Sequence, residues 1–153
     1  MRSTNSGAVA SLFEGRPWIV CPEGRDAEAV ARVDALIELV GARRVVMTPE
    51  EHDAAVAITS HVPQLLSSWL LVAASRRNAM AAAGPAFLEM TRTAGGAEAM
   101  WRDIFESNSD EIGQLARDAA DVLTAVSNGL ATQPPDVDAV LGLLAAARAT
   151  RGD

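Results

Sequence analysis

Cysteine is almost missing from this chain: Cys21 is the single thiol in 153 residues. One thiol excludes an intramolecular disulfide framework and a multi-cysteine metal site, and it fits a reducing, cytoplasmic setting. Histidine is nearly as scarce, with only His52 and His61. They are nine residues apart and do not share a helix face at one-turn spacing. The acids around them, Glu50, Glu51 and Asp53, read as helix-start residues, so no metal site is expected. Neither GxGxxG nor GxxxxGK[ST] occurs, which leaves these residues without a complete nucleotide site. Ser60-His61 lacks a nucleophile-elbow context, and neighbouring side chains on a helix diverge by about 100°, so a hydrolase pair is not supported.

Positive charge is also in deficit. Against 20 Asp and Glu stand 13 Lys and Arg, for a net charge of −7. Nonspecific nucleic-acid binding needs a basic face that releases counterions, so no nucleic-acid partner is expected. The opening residues, MRSTNSGAVASLFEGRPW, carry no sustained apolar run and meet an acid at Glu14, so no signal peptide is expected. From Ala54 to Ser75 charge vanishes altogether, over a length that in principle crosses a bilayer. That run nevertheless contains His61, Gln64 and several hydroxyls, which are costly in hydrocarbon. We read it as a helix buried on nearly all sides, in a helical core or at a subunit interface, and not as a membrane span.

What is present suits a folded domain: 49% hydrophobic and 22% charged residues lie outside the disordered range. Residues 17–22, PWIVCP, predict a short strand followed by a polar turn. Val30, Val33, Leu36, Ile37 and Val40 then recur at helical spacing, with Gly41 where a left-handed C-terminal residue is wanted. The segment 43–48, RRVVMT, predicts a second strand. This strand-helix-strand unit is too small to stand alone. At Thr48 the pattern changes: a capping residue, Pro49 at the first helical position and Glu50 and Glu51 in the first turn announce a helix. Helices are predicted over about 49–82 with a kink near Pro63, after Gly84-Pro85, over about 97–106, over about 109–127 and over about 136–149. The fold class expected is mainly α, with a domain boundary at 48/49: residues 1–48 a terminal sheet fragment, 49–150 all-α.

Four side chains invite a chemical reading. His61 is either a core histidine satisfied by backbone or serine partners, or a pocket residue where the helix bends at Pro63. Arg92 stands between FLEM (87–90) and AGG (94–96), beside backbone able to approach a ligand closely. It is either a solvated surface arginine or a planar donor fork for a carboxylate, oriented by Glu89 three residues earlier. Trp101 and Phe105, one turn apart, read as core ahead of ligand platform.

Taken together, LFEGRPWIVCP (12–22), MTPEEHDAAVAITSHVPQLLSSWL (47–70) and MTRTAGGAEAMWRDIFESN (90–108) resemble the prephenate dehydrogenase family of tyrosine biosynthesis. The resemblance implies an NAD(P)-binding Rossmann domain followed by an all-α domain that forms homodimers, with the active site between them. Residues 1–48 then correspond to the end of the nucleotide domain, and the helix over 54–75 becomes an interface helix. In that family a histidine of an H-P-M-A-G motif takes the ring hydroxyl proton of prephenate or arogenate while hydride passes to NAD or NADP and CO₂ leaves. Neither that motif nor the dinucleotide fingerprint is found in these 153 residues. The resemblance carries over the substrate side only: Arg92 in T-R-x-A as the carboxylate-binding arginine, with His61 in S-H-x-P, Gln64 and Trp101 in or beside the pocket. Gln64 stands where the family often has histidine, and Glu89 where it often has aspartate; a glutamine donates and accepts hydrogen bonds but carries no charge. The expectation is a C-terminal, substrate-binding and dimerising part that is inactive alone. It pairs with its own copy, or with a separate or full-length nucleotide-binding chain. The alternative is a non-catalytic regulatory module that pairs with an intact dehydrogenase.

Overall fold

The computed structural model describes residues 11–152. The segment 5–10, part of the stretch adjoining the family's catalytic motif, and the start of the predicted 1–48 piece lie outside the described residues. The chain divides into two compact units, one ending at Val56 and the other starting at Ala57.

In the first unit, strand β1 (Pro17–Val20), helix α1 (Ala27–Leu39) and strand β2 (Arg43–Val46) follow the predicted order. The strands pair in parallel, Pro17 opposite Arg43 through Val20 opposite Val46. Asp26 caps α1 by accepting the Ala29 N–H at 2.9 Å, and Gly41 turns the chain with φ +68°, a conformation that costs glycine little. Arg44 Nε lies 2.6 Å from Asp34 Oδ1 and ties β2 to α1. Ile37 is buried beneath them, whereas Val33, Leu36, Leu39 and Val46 stay exposed. A two-stranded sheet with so much uncovered apolar surface is below the size that is stable by itself. Helix α2 (Pro49–Val56) begins as predicted: the Thr48 N–H donates to Glu51 Oε2 at 2.8 Å and the Glu51 N–H donates to Thr48 Oγ1 at 3.1 Å, a reciprocal capping box.

The second unit is all-helical. It comprises a π-helical turn (Ala57–His61), α3 (Val62–Arg76), a 3₁₀ turn (Met80–Ala82), α4 (Pro85–Met90), α5 (Glu98–Ser107), α6 (Ser109–Leu130) and α7 (Asp138–Arg151). Where a kink is expected near Pro63, the helix widens into the π turn just ahead of it. Proline cannot donate to the Thr59 carbonyl and its ring crowds that group, so a widened turn accommodates it. The helix expected to reach residue 82 stops at Arg76, because Asn78 adopts a left-handed φ of +54° and breaks the run.

The apolar core is small: Ala57, Val62 and Ile112 are buried, with Phe105 and Leu115 against them. The expectation that 54–75 is buried on nearly all sides fails within a single chain. Helical backbone spans Pro49–Arg76, long and apolar enough to cross a membrane by length and composition, yet only 28% of its most apolar window is buried. Apart from Val62, burial follows one stripe, Ala57, His61, Gln64 and Ser67, while Ile58, Leu66 and Trp69 face outward, Trp69 at 62% exposure. The outward residues line a trough of about 540 Å³ with Met90, Leu115, Val122, Leu123 and Leu143.

Candidate functional site

The buried stripe of α3 is polar where a core helix is usually apolar. His61, Gln64, Ser67 and Ser68 fall at successive spacings of three, three and one, which places them on one face of the helix. His61, Gln64 and Ser67 are buried, and so is Asn108 at the junction of α5 and α6. Burying amides, a hydroxyl and an imidazole is costly unless they find partners, and they do. Asn108 Nδ2 and His61 Nδ1 are hydrogen-bonded at 3.4 Å. Gln64 Nε2 donates to the Gly95 carbonyl. The Gly95 N–H donates to Ser68 Oγ at 3.3 Å, and Thr93 Oγ1 donates to Ser67 Oγ at 3.4 Å.

These contacts fasten the connection between α4 and α5 to the α3 stripe. That connection contains two consecutive glycines in the left-handed half of φ space, Gly95 at +87° and Gly96 at +108°. At Gly96 the requirement is also steric, since a β-carbon there would approach Trp101 Nε1 to 2.5 Å. The Trp101 indole meets His61 edge-on, with centroids 6.2 Å apart and planes at 88°, and leans on Phe105 at 5.6 Å. The outer side of that aromatic pair opens on a cleft of about 650 Å³ edged by Glu98, Arg102, Glu106 and Ser109.

Of the residues singled out in the sequence, the fold therefore brings His61, Gln64 and Trp101 into one cluster. Arg92 stands just past the end of α4, one residue before Thr93. Its side chain is 70% exposed, and its Nε lies 3.8 Å from Glu89 Oε1, the i,i+3 acid expected to orient it. A guanidinium so weakly held keeps its donor fork available to an incoming anion. Trp101 is half-buried, a wall of the cluster and not a residue of the apolar core. Asn108, Ser67, Ser68 and Thr93 were not anticipated. The signal for Asn108 was a capping-type residue just before a predicted helix; its side chain makes no capping bond and turns to His61. Among the described residues no group of three or more His, Cys, Asp and Glu is arranged to hold a metal ion.

Residues 48–141 match the family described as prephenate dehydrogenase, dimerization domain. The chain is 34% identical over 121 residues to the prephenate dehydrogenase of Bacillus subtilis strain 168, an alignment covering 72% of this chain and 32% of that protein. To the cyclohexadienyl dehydrogenase of Zymomonas mobilis it is 31% identical over 107 residues, covering 65% of this chain and 36% of that protein. The chain thus spans about a third of the length of these curated relatives. Among solved structures, Synechocystis arogenate dehydrogenase superposes with a TM-score of 0.71 at 24% identity, covering 95% of this chain and 56% of that one. Prephenate dehydrogenase from Aquifex aeolicus, solved with hydroxyphenyl propionate and NAD⁺, gives 0.78 at 22% identity, covering 95% and 52%. At those identities the superpositions speak to the fold alone.

Proposed function

The chain belongs to the prephenate dehydrogenase family, and from that premise we propose that these residues are the dimerising, substrate-side part of a prephenate or arogenate dehydrogenase. The observation that carries the reading is the cluster in which His61, Gln64 and Trp101 meet the connection bearing Arg92, all inside the matched span. In this reading the Arg92 fork takes a carboxylate of the ring acid, Glu89 orients the fork, and Trp101 and His61 wall the pocket, with Gln64 beside them. The hydroxyphenyl propionate held by the Aquifex relative has the two features this wall suits, a carboxylate and a ring.

NAD or NADP is the electron acceptor that family membership implies, and the residues described do not fit it. A dinucleotide pyrophosphate needs a glycine-rich turn opening on a free helix N-terminus. The β1–α1 turn here runs Cys-Pro-Glu-Gly-Arg-Asp with a single glycine, and the Asp26 carboxylate already occupies the Ala29 N–H at the start of α1. The dinucleotide site and the proton acceptor therefore come from outside these residues, and the uncovered faces of α1 and β2 suit packing against the remainder of a nucleotide-binding domain. The apolar trough of the helical unit suits a second copy of the chain, giving a homodimer in the cytoplasm with no membrane or nucleic-acid partner.

The test is prephenate oxidation followed as reduced nicotinamide. The chain alone is expected to give none. A chimera joining the Aquifex nucleotide-binding domain to these residues is expected to turn over and to weaken on Arg92→Ala. Turnover by the chain alone, or a chimera indifferent to Arg92, would overturn the reading.

A further inference from the structure

The connection that bears Arg92 carries local bonds of its own, from the Arg92 N–H to the Glu89 carbonyl at 3.3 Å and from the Ala94 N–H to the Thr91 carbonyl at 3.0 Å, and then runs into Gly95 and Gly96. Its two left-handed glycines are the residues with the most conformational freedom to lose, and the Cβ position of Gly95 has nothing within 4 Å. What fixes Gly95 is α3. Both backbone groups of Gly95 are taken by side chains one helical turn apart: Gln64 Nε2 donates to its carbonyl, and Ser68 Oγ accepts its N–H at 3.3 Å. Gln64 is 6% exposed, so its amide is directed into the protein and not toward solvent. On the other flank Gly96 abuts the Trp101 indole. Arg92, with a mostly exposed side chain and a 3.8 Å ion pair, is placed by its own turn and by the anchored glycine three residues on.

We propose that Gln64 and Ser68 form a two-point latch on Gly95, and that Gln64 is a positioning residue for Arg92 and not itself a ligand contact. The role for Arg92 rests on the function proposed above; the latch does not. Gln64→Glu keeps the size of the side chain, removes the donor and sets a carboxylate against a carbonyl oxygen. Ser68→Ala removes the opposite point of the latch from a residue with no claim on a ligand.

The experiment is amide hydrogen exchange by NMR on the full 153-residue chain without ligand, read with the Trp101 indole N–H resonance, and then titration with hydroxyphenyl propionate. In both variants exchange at 94–96 is expected to rise about tenfold, the size of one lost hydrogen bond, with the α6 amides unchanged and the Trp101 signal displaced. Ligand affinity is expected to fall by a similar factor in both. Unchanged loop exchange and an unmoved indole signal in both variants overturn the latch, as does a Gln64→Glu protein that loses ligand with its loop exchange intact. Should Gln64→Glu not fold, Ser68→Ala decides by itself. Absence of ligand binding by the wild-type chain would count against the proposed function, while the exchange measurement would still decide the latch.

Discussion

Gly96 lies so close to Trp101 that a β-carbon on the glycine would sit 2.5 Å from the indole Nε1, and its φ of +108° is one that side-chain-bearing residues rarely adopt. Gly96→Ala therefore meets two penalties, backbone strain of about 1–3 kcal/mol and overpacking of about 1–3 kcal/mol. Gly95→Ala meets only the first, since its Cβ would enter open space. Urea denaturation should show Gly96→Ala as the more damaging by at least about 1 kcal/mol. Equal losses would mean that the indole is free to move aside.

The buried pair His61 and Asn108 predicts an energetic coupling. Asn108→Ala deletes an amide hydrogen-bonded to the ring and should cost about 1–3 kcal/mol. In a double-mutant cycle with His61→Ala, the two losses should fall short of additivity by about 0.5–3 kcal/mol. Strict additivity would show that the 3.4 Å contact contributes nothing.

Arg92 should separate function from stability. Its ion pair with Glu89 is solvated and long, so Arg92→Ala should leave the unfolding free energy within about 0.5 kcal/mol of wild type. In the chimeric enzyme the same change should weaken substrate binding by about 2–4 kcal/mol, the cost of leaving a carboxylate without its charged donor. A loss of stability matching the loss of binding would assign Arg92 a structural role.

Local features of the fold were readable from the chain because their causes are local. Thr48-Pro49-Glu50-Glu51 encodes a capping box through residues three apart, and Gly41 marks a C-terminus that needs positive φ. The end of the long helix was misplaced because Ala79, Met80 and the alanines at 81–83 favour helix by propensity, while the left-handed Asn78 overrides them. The site was only half visible. Arg92 and its acid are neighbours in sequence, but Gln64 finds Gly95 across 31 residues and His61 finds Asn108 across 47, and no periodicity links such pairs. The apolarity of 54–75 was plain; what covers it was not, since a single chain leaves Leu66 and Trp69 exposed.

That uncovered face gives the most direct test. Leu66, Trp69, Val122, Leu123 and Leu143 are all more than 40% exposed along one trough, and all but Leu143 lie within the residues that match a dimerization domain. Burying such a surface is worth roughly 25 cal/mol per Å² of apolar area. A carboxylate placed there would have to be desolvated without a partner. Sedimentation equilibrium should find the wild-type chain at twice its 16.0 kDa mass through the micromolar range, and Leu66→Glu with Leu123→Glu at the mass of one chain. A wild-type chain that sediments as a monomer at those concentrations would contradict the account.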